Sequence, residues 1–412
     1  MPLLFIPVAV HAQPLESPAG ELTLAGAIAA ALAANPDLRA GEFELRAGAG
    51  RVEQAGLRPN PELALEAENF AGTGDAAATH ALESTLILSQ VIELGGKRER
   101  RVQVASAGYE TLTVERQIRQ LDVLAEVMRR YMDVVVAQER LSLGHTSLDL
   151  ANDTLSIVAR RVKAARAPRA EQSRATIARA RTRLDLGRAQ QTLEAARWQL
   201  AATWGGEEPR FTRAVGDLYA LAAVQEFDTL AARLESTPDF LRYAADRRLH
   251  EAELALARAR ARPSLKLSAG LRRLNESHDT ALVAGVSLPI PLFDRRQGRR
   301  TESRARIAQS EAERAAALVR ARATVFALHG ELGVARVEVG VLRGEVIRQA
   351  EGALDQVRSG FERGRFSYLE LAAAQQDVLD ALHAAIDAAA AFHRLHTEIE
   401  RLTGEPLAAA AP

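Results

Sequence analysis

From Glu62 to Phe70 apolar and polar residues alternate, with Leu63, Leu65 and Ala67 on one face and Glu62, Glu66 and Glu68 on the other. The same rule holds from Leu82 to Ile92, where Leu82, Leu86, Leu88 and Ile92 oppose Glu83, Thr85 and Ser89. It returns in Leu265, Leu267, Ala269 and Leu271 against Ser264, Lys266, Ser268 and Arg272, and then in Leu282, Ala284, Val286 and Leu288. This alternation predicts four β-strands, each with one apolar face. Elsewhere the period changes. Val114, Ile118, Leu121, Ala125, Met128, Met132 and Val135 step by four and three, the seam of a coiled coil.

The pattern is written twice. Ala34-Asn35-Pro36-Asp37-Leu38 is answered by Ser236-Thr237-Pro238-Asp239-Phe240, and Leu57-Arg58-Pro59 by Ala261-Arg262-Pro263. Each half opens with a predicted helix of about 35 residues (24–57, then 226–261), closed by an Arg-Pro pair. Two strands follow, then a helical pattern of about 65 residues (97–163, then 297–359). A short turn leads to a last helix of about 36–39 residues (168–203, then 365–403). The reading is a tandem duplication: a first repeat over 22–204, a joining region over 205–225 beginning GGEEPRF, a second repeat over 226–404 and a tail over 405–412.

Length constrains the architecture. At ~1.5 Å per residue each long helix spans roughly 100 Å, too long to bury itself in a compact globule, so these helices form a bundle or tube. Amphipathic strands of about ten residues are long enough to cross a bilayer as tilted barrel strands. Four strands cannot close a ring around water, and open edges would leave backbone groups facing lipid, so oligomerisation is required. Three chains with four strands each supply twelve. Two other readings stay open: a soluble four-stranded sheet with one wet face, and an isolated soluble coiled coil.

The stretch LILSQVIELGGKRERR, Leu86 to Arg101, then reads as a strand leaving the membrane at Gly95-Gly96, with Lys97 starting an aqueous helix; Pro289-Ile290-Pro291 marks the matching exit. A phosphate-binding loop does not fit, because Val91 stands where its first glycine belongs and Arg98 where Ser or Thr must follow the lysine.

Composition narrows the classes. The chain has 412 residues, only 4% aromatic, with 53 basic and 53 acidic residues. Alanine, leucine, arginine and glutamate dominate, which suits long helices. Interspersed charges with no net excess give no footprint for nucleic acid. The absence of cysteine excludes disulfides, thiolate metal sites, a cysteine nucleophile and a lipid-bearing N-terminal cysteine. Leu3 to Val10 form a short apolar segment, and Val10-His11-Ala12 before Gln13 resembles a cleavage site. The expectation is an export signal over residues 1–12 that lacks its usual basic start, with an ordinary apolar tail as the alternative.

On ANPDL at Ala34 to Leu38, SQVIELGGKR at Ser89 to Arg98 and SLPIPLFDRRQG at Ser287 to Gly298, the sequence resembles the TolC family of outer-membrane efflux channels. It is most similar to the branch that serves cobalt–zinc–cadmium and related heavy-metal exporters. The resemblance implies a mainly α protein with a membrane β-barrel. In that fold a homotrimer builds a twelve-stranded barrel continuing into a long α-helical coiled-coil barrel in the periplasm. Its implied partners are a periplasmic adaptor protein, an inner-membrane proton-driven pump of the RND type and outer-membrane lipid, with no cofactor.

The resemblance also implies site residues. SGFERGRFSYLEL, Ser359 to Leu371, resembles the family's periplasmic tip: Gly360 and Gly364 permit the reversal, while Phe366, Tyr368 and Leu369 offer apolar contact to an adaptor. Glu370 matches an aperture carboxylate, although Ala373 stands where a second acid is common. A ring of three such acids would favour cations, unless Glu370 pairs with Arg365 or a neighbouring arginine. The first-half turn, Ala165-Arg166-Ala167-Pro168, lacks the glycine; its Glu171 is the counterpart of Glu370, with Arg169 beside it. The strand-to-helix junctions are Gly95, Gly96 and Lys97, then Pro289, Pro291 and Asp294.

Other chemistry is weakly supported. His393 and His396 lie one turn apart with His383 on the same segment, but no acid or cysteine pattern completes a metal site. Glu207-Glu208 sits in no catalytic motif, so the reading is not an enzyme. The expected function is a passive exit duct for divalent heavy-metal cations, gated at its periplasmic tip. The alternatives are the same architecture serving drugs or a secreted polypeptide, and a soluble coiled-coil scaffold.

Overall fold

The structure is a computed structural model, and it describes residues 18–74 and 77–404. The expected export signal and the 405–412 tail lie outside the described residues. The chain divides into two compact units, one built from residues 41–116 and 238–317, the other from the remaining segments.

In the first unit the four expected strands form one antiparallel sheet. They are β2 (Glu62–Glu68), β3 (Glu83–Ile92), β5 (Leu265–Leu274) and β6 (Thr280–Ser287), ordered β2-β3-β5-β6. Register places Leu65, Leu86, Leu271 and Leu282 in one cross-strand row. Their exposures are 75, 46, 52 and 87%, so nothing among the described residues covers the apolar face. The opposite face carries the paired charges. The Arg272 guanidinium donates to Glu83 at 2.8 Å, Glu68 at 3.1 Å and the Thr85 hydroxyl at 2.9 Å, and Lys266 meets Glu62 at 2.8 Å. Thr85 and Ser89 on this face are buried. A soluble one-layer sheet does the reverse, hiding leucine and wetting its charges.

Helices lead out of the sheet at both junctions. Gly95 and Gly96 both have positive φ, +77° and +71°, which end β3 and let α3 (Lys97–Lys163) begin, with Arg100 N donating to Gly96 O at 3.0 Å. Arg262 lies over Gly95 and leaves no room for a side chain there. After Pro289 and Pro291, Asp294 Oδ1 accepts the Arg296 amide at 2.8 Å and turns the chain into α7 (Gln297–Val341).

The second unit is helical. Its main members are the later part of α3, α4 (Arg169–Ala202), the later part of α7, α8 (Ile347–Glu362) and α9 (Tyr368–Thr403). The expected seam is present, with Ala125, Met128 and Val135 buried. A second buried line, Val123, Val127, Tyr131 and Val134, runs beside it, so α3 is covered on more than one side. Part of that cover is a parallel pair the alternation does not reveal, β1 (Gly20–Leu22) with β4 (Phe211–Ala214), of which β4 lies in the 205–225 joining region. The Tyr131 hydroxyl lies between the carbonyls of Leu22 (3.0 Å) and Val215, and burial pushes its pKa up to about 12.

Three helices differ from expectation. The 24–57 stretch is two helices, α1 (Leu24–Ala34) and α2 (Pro36–Gly56), and 226–261 is α5 (Phe227–Arg233), a 3-10 turn at Leu234–Ser236, and α6 (Pro238–Arg260). Proline at a first helical position has no amide to donate and pushes the preceding residue out of helical geometry. Buried Asn35 makes a structural device of this break. Its Oδ1 accepts the amides of Asp37 (2.9 Å) and Leu38 (3.0 Å), and its Nδ2 donates to Thr203 O at 2.7 Å. In the second repeat the long helix is interrupted by a π turn at Leu342–Val346, while α3 runs unbroken.

Asn35→Ala therefore removes a cap and takes the side-chain donor away from the half-buried Thr203 carbonyl. It is expected to destabilise the helical unit by about 1–3 kcal/mol, read as a lower melting temperature in detergent; Asn35→Asp, which keeps both caps, should recover part of that loss.

Candidate functional site

The reversals after α3 and α8 close in the same way. Ala165 N donates to Val162 O at 3.0 Å and Arg166 N to Arg161 O at 2.8 Å. Gly364 N donates to Phe361 O at 3.0 Å and Arg365 N to Gly360 O at 2.8 Å. This bond pair is a Schellman closure, which requires one left-handed residue. Gly364 takes it at φ +78° without strain, whereas Ala165 takes it at φ +57° with a Cβ in the way. The missing first-half glycine changes the cost of the turn and not its geometry.

Gly360 has a different role from the one its motif suggests. It lies within α8, and a Cβ there would collide with the Phe366 ring, so it is a seat for Phe366. Tyr368 is likewise corrected. It is buried in a core with Val158, Ala175, Phe361 and Leu371, which joins α3, α4, α8 and α9. A residue in that core cannot offer its ring to a partner. Burial, chiefly, raises the Tyr368 pKa, with Arg174 lowering it and Glu171 raising it. Phe366 and Leu369 remain exposed, as does Pro168, while Ala167 is half-buried.

The acids are placed unequally. Glu370 does not pair with Arg365. Its carboxylate accepts from the Ser367 amide (2.7 Å) and hydroxyl (2.8 Å), while Ser367 Oγ accepts the Glu370 amide at 3.3 Å, a reciprocal capping box at the start of α9. These bonds hold the exposed Glu370 below the usual carboxylate range. The Ser-x-x-Glu spacing at 367–370 was the signal for this cap. Glu171 starts α4 without such a cap; its Oε2 is buried with no hydrogen-bond partner among the described residues. Arg169 and Arg365 are exposed. Arg161, which sequence reasoning passes over, ties the repeats together: Nη1 donates to Phe361 O at 2.6 Å and the guanidinium lies 4.2 Å above the Phe361 ring.

The histidines face backbone and acid instead of one another. His393 Nε2 meets Leu218 O at 2.8 Å, and burial pushes its pKa down; His396 faces Glu400 at 3.4 Å. Among the described residues no group of three metal-capable side chains forms, and no helix is long and apolar enough to cross a membrane.

The architecture is that of outer-membrane channels of known structure. The outer membrane protein VceC of Vibrio cholerae superposes with a TM-score of 0.73 at 19% identity, covering 92% of this chain and 96% of that one. The sequence matches the profile of the outer membrane efflux protein family twice, over residues 27–206 and 230–405. It is 31% identical to the cobalt-zinc-cadmium resistance protein CzcC of Cupriavidus metallidurans over 386 residues, 94% of this chain and 91% of that protein. It is 27% identical to the nickel-cobalt-cadmium resistance protein NccC of Alcaligenes xylosoxydans xylosoxydans over 284 residues, 68% and 63% of the two chains. The chain belongs to the outer membrane efflux protein family. It is a transport component, not an enzyme.

Ala165→Gly should relieve the left-handed strain and stabilise the protein by about 1 kcal/mol, seen as a raised melting temperature; Gly364→Ala should shift it the other way.

Proposed function

We propose that the chain is the exit duct of a tripartite efflux assembly that exports divalent heavy-metal cations across the outer membrane. The observation that carries the cargo is the 31% identity to a cobalt-zinc-cadmium resistance protein over almost the whole chain. In this reading three copies close their sheets into a twelve-stranded barrel, and their helical units form the tunnel wall in the periplasm. The exposed leucine face of the sheet and its two open edges support the barrel. Unpartnered apolar positions on the helices support association. Ile177, Leu184 and Trp198 are exposed on α4 at multiples of seven, and Val319, Phe326, Val334, Val337 and Val341 are exposed on α7, where 319/326 and 334/341 are seven apart, with open space around Gly330, Gly333 and Gly340.

The tip supplies the working end. Phe366 and Leu369, with Pro168 and Ala167 from the other repeat, are the adaptor contact, and Gly360 and Gly364 shape it. Glu370, held by its own cap, and Glu171 are the aperture acids, with Arg365 and Arg169 beside them. Adaptor binding would open the tip by contacting the open state better than the closed one. An inner-membrane RND pump drives transport.

A deletion strain, compared with the same strain carrying the gene on a plasmid, decides the cargo. Loss of the gene should lower tolerance to cobalt, zinc or cadmium and leave antibiotic tolerance unchanged. Unchanged metal tolerance with lost drug tolerance would replace metal export by the drug-channel reading.

A further inference from the structure

The stretch between β6 and α7 is left unused by the duct reading. Leu288, Ile290, Leu292 and Phe293 are exposed, Ile290 by 74% and Phe293 by 91%. They continue the uncovered apolar face of Leu282 and Val286. Pro289 and Pro291 bring no amide donors, and the Leu292 amide is satisfied locally by Ile290 O at 3.0 Å. Irregular backbone with so few free donors tolerates the edge of an apolar phase.

Directly after it the chain turns basic. Arg295, Arg296 and Arg299 are exposed, and Arg300 is half-buried, its Nε without a partner among the described residues. The acids nearby are few: Asp294 is 3.9 Å from Arg296, and Glu302 is 3.0 Å from Arg299. Positive charge from two other elements converges on the same place. The pKa of Lys97 at the start of α3 is lowered by burial first, then by Arg260 and Arg296, against an opposing pull from Glu93. Glu93 is itself engaged by Arg101. The first turns of α3 and α7 add the positive ends of two helix dipoles.

We propose that this apolar-then-basic junction is a binding surface for net-negative glycerophospholipids. Leu288, Ile290, Leu292 and Phe293 lie among the acyl chains, and Arg295, Arg296 and Arg299 hold the phosphodiester. The proposal rests on the barrel reading, which places the junction at the membrane boundary on the helix side. Arginine forks match phosphate oxygens bidentately, and a headgroup with no ammonium leaves their charge uncompensated. The order along the chain, leucines of the sheet, then prolines and Phe293, then arginines, follows the order of acyl chain, interface and phosphate.

The test uses the full-length channel in mild detergent, offered equal amounts of phosphatidylglycerol and phosphatidylcholine, with retained lipid counted by native mass spectrometry. Wild type should retain phosphatidylglycerol preferentially, and the preference should fall as salt rises. Arg295→Gln, Arg296→Gln and Arg299→Gln together should weaken it by about fivefold per arginine removed. Phe293→Ser with Ile290→Ser should lower retention of both lipids and keep the preference. Equal retention of the two lipids by wild type would overturn the proposal, as would a salt-independent preference. Insertion into pure phosphatidylcholine vesicles separates the two readings. A channel that inserts without headgroup preference sinks only the lipid site, and one that never inserts sinks the barrel.

Discussion

A β-sheet with two free edges is intolerable in hydrocarbon, because each unpaired amide or carbonyl there costs several kcal/mol. In the trimeric reading that constraint organises this protein. β2 and β6 are the edges of the sheet, and its apolar face has no cover among the described residues. One copy can satisfy its inner strands through β3 and β5, but among the described residues no strand pairs with its own edges. In the trimeric reading the edges of neighbouring copies satisfy each other, and the leucines meet lipid in place of a packed layer. The polar face, where Arg272 gathers Glu83, Glu68 and Thr85, becomes the lumen wall.

The helical unit solves a different problem, turning long helices sharply without losing backbone bonds. Breaks and reversals use local chemistry that repeats across the duplication but is not identical in the two halves. Asn35 and Thr237 each precede a helix-starting proline, yet only Asn35 reaches across to Thr203. Ala165 and Gly364 close the same turn at different cost. Glu370 is fixed by a serine cap, while Glu171 follows a proline that cannot supply one. The second repeat also carries the π turn at Leu342–Val346, a departure of the kind that collects at functional positions. Duplication supplied two equal halves, and the tip distinguishes them.

What the sequence shows plainly is what strict periods encode. The four strands and α3 stand where alternation and the four-three seam place them, because each pattern had a single face to satisfy. The splits at Asn35 and Thr237 were signalled by Asn-Pro and Thr-Pro but masked by apolar residues that continue on both sides. The β1–β4 pair was invisible, since two strands of three and four residues carry too little alternation and pair across most of the first repeat. At the tip, the family resemblance pointed to Gly364 and Phe366, and burial separates the exposed Phe366 from the enclosed Tyr368. Tyr368 reads as a surface aromatic until Val158, Phe361 and Leu371 close around it. Glu370 reads as a free acid unless Ser367 is seen three residues before it.

The central claim is that the edge of β2 in one copy pairs with the edge of β6 in another. The chain has no cysteine, so introduced pairs report without background. Within one copy the two edges are separated by three strand spacings, about 14 Å, beyond the reach of a disulfide. Cysteines placed on the polar face at Glu62, Ala64 or Glu66 and at Ala281, Val283 or Gly285 are to be oxidised in membranes and sized on denaturing gels. Covalent trimers from some double variants and from no single variant are the predicted result. Chains that stay monomeric at every combination would contradict the ring and the duct built on it.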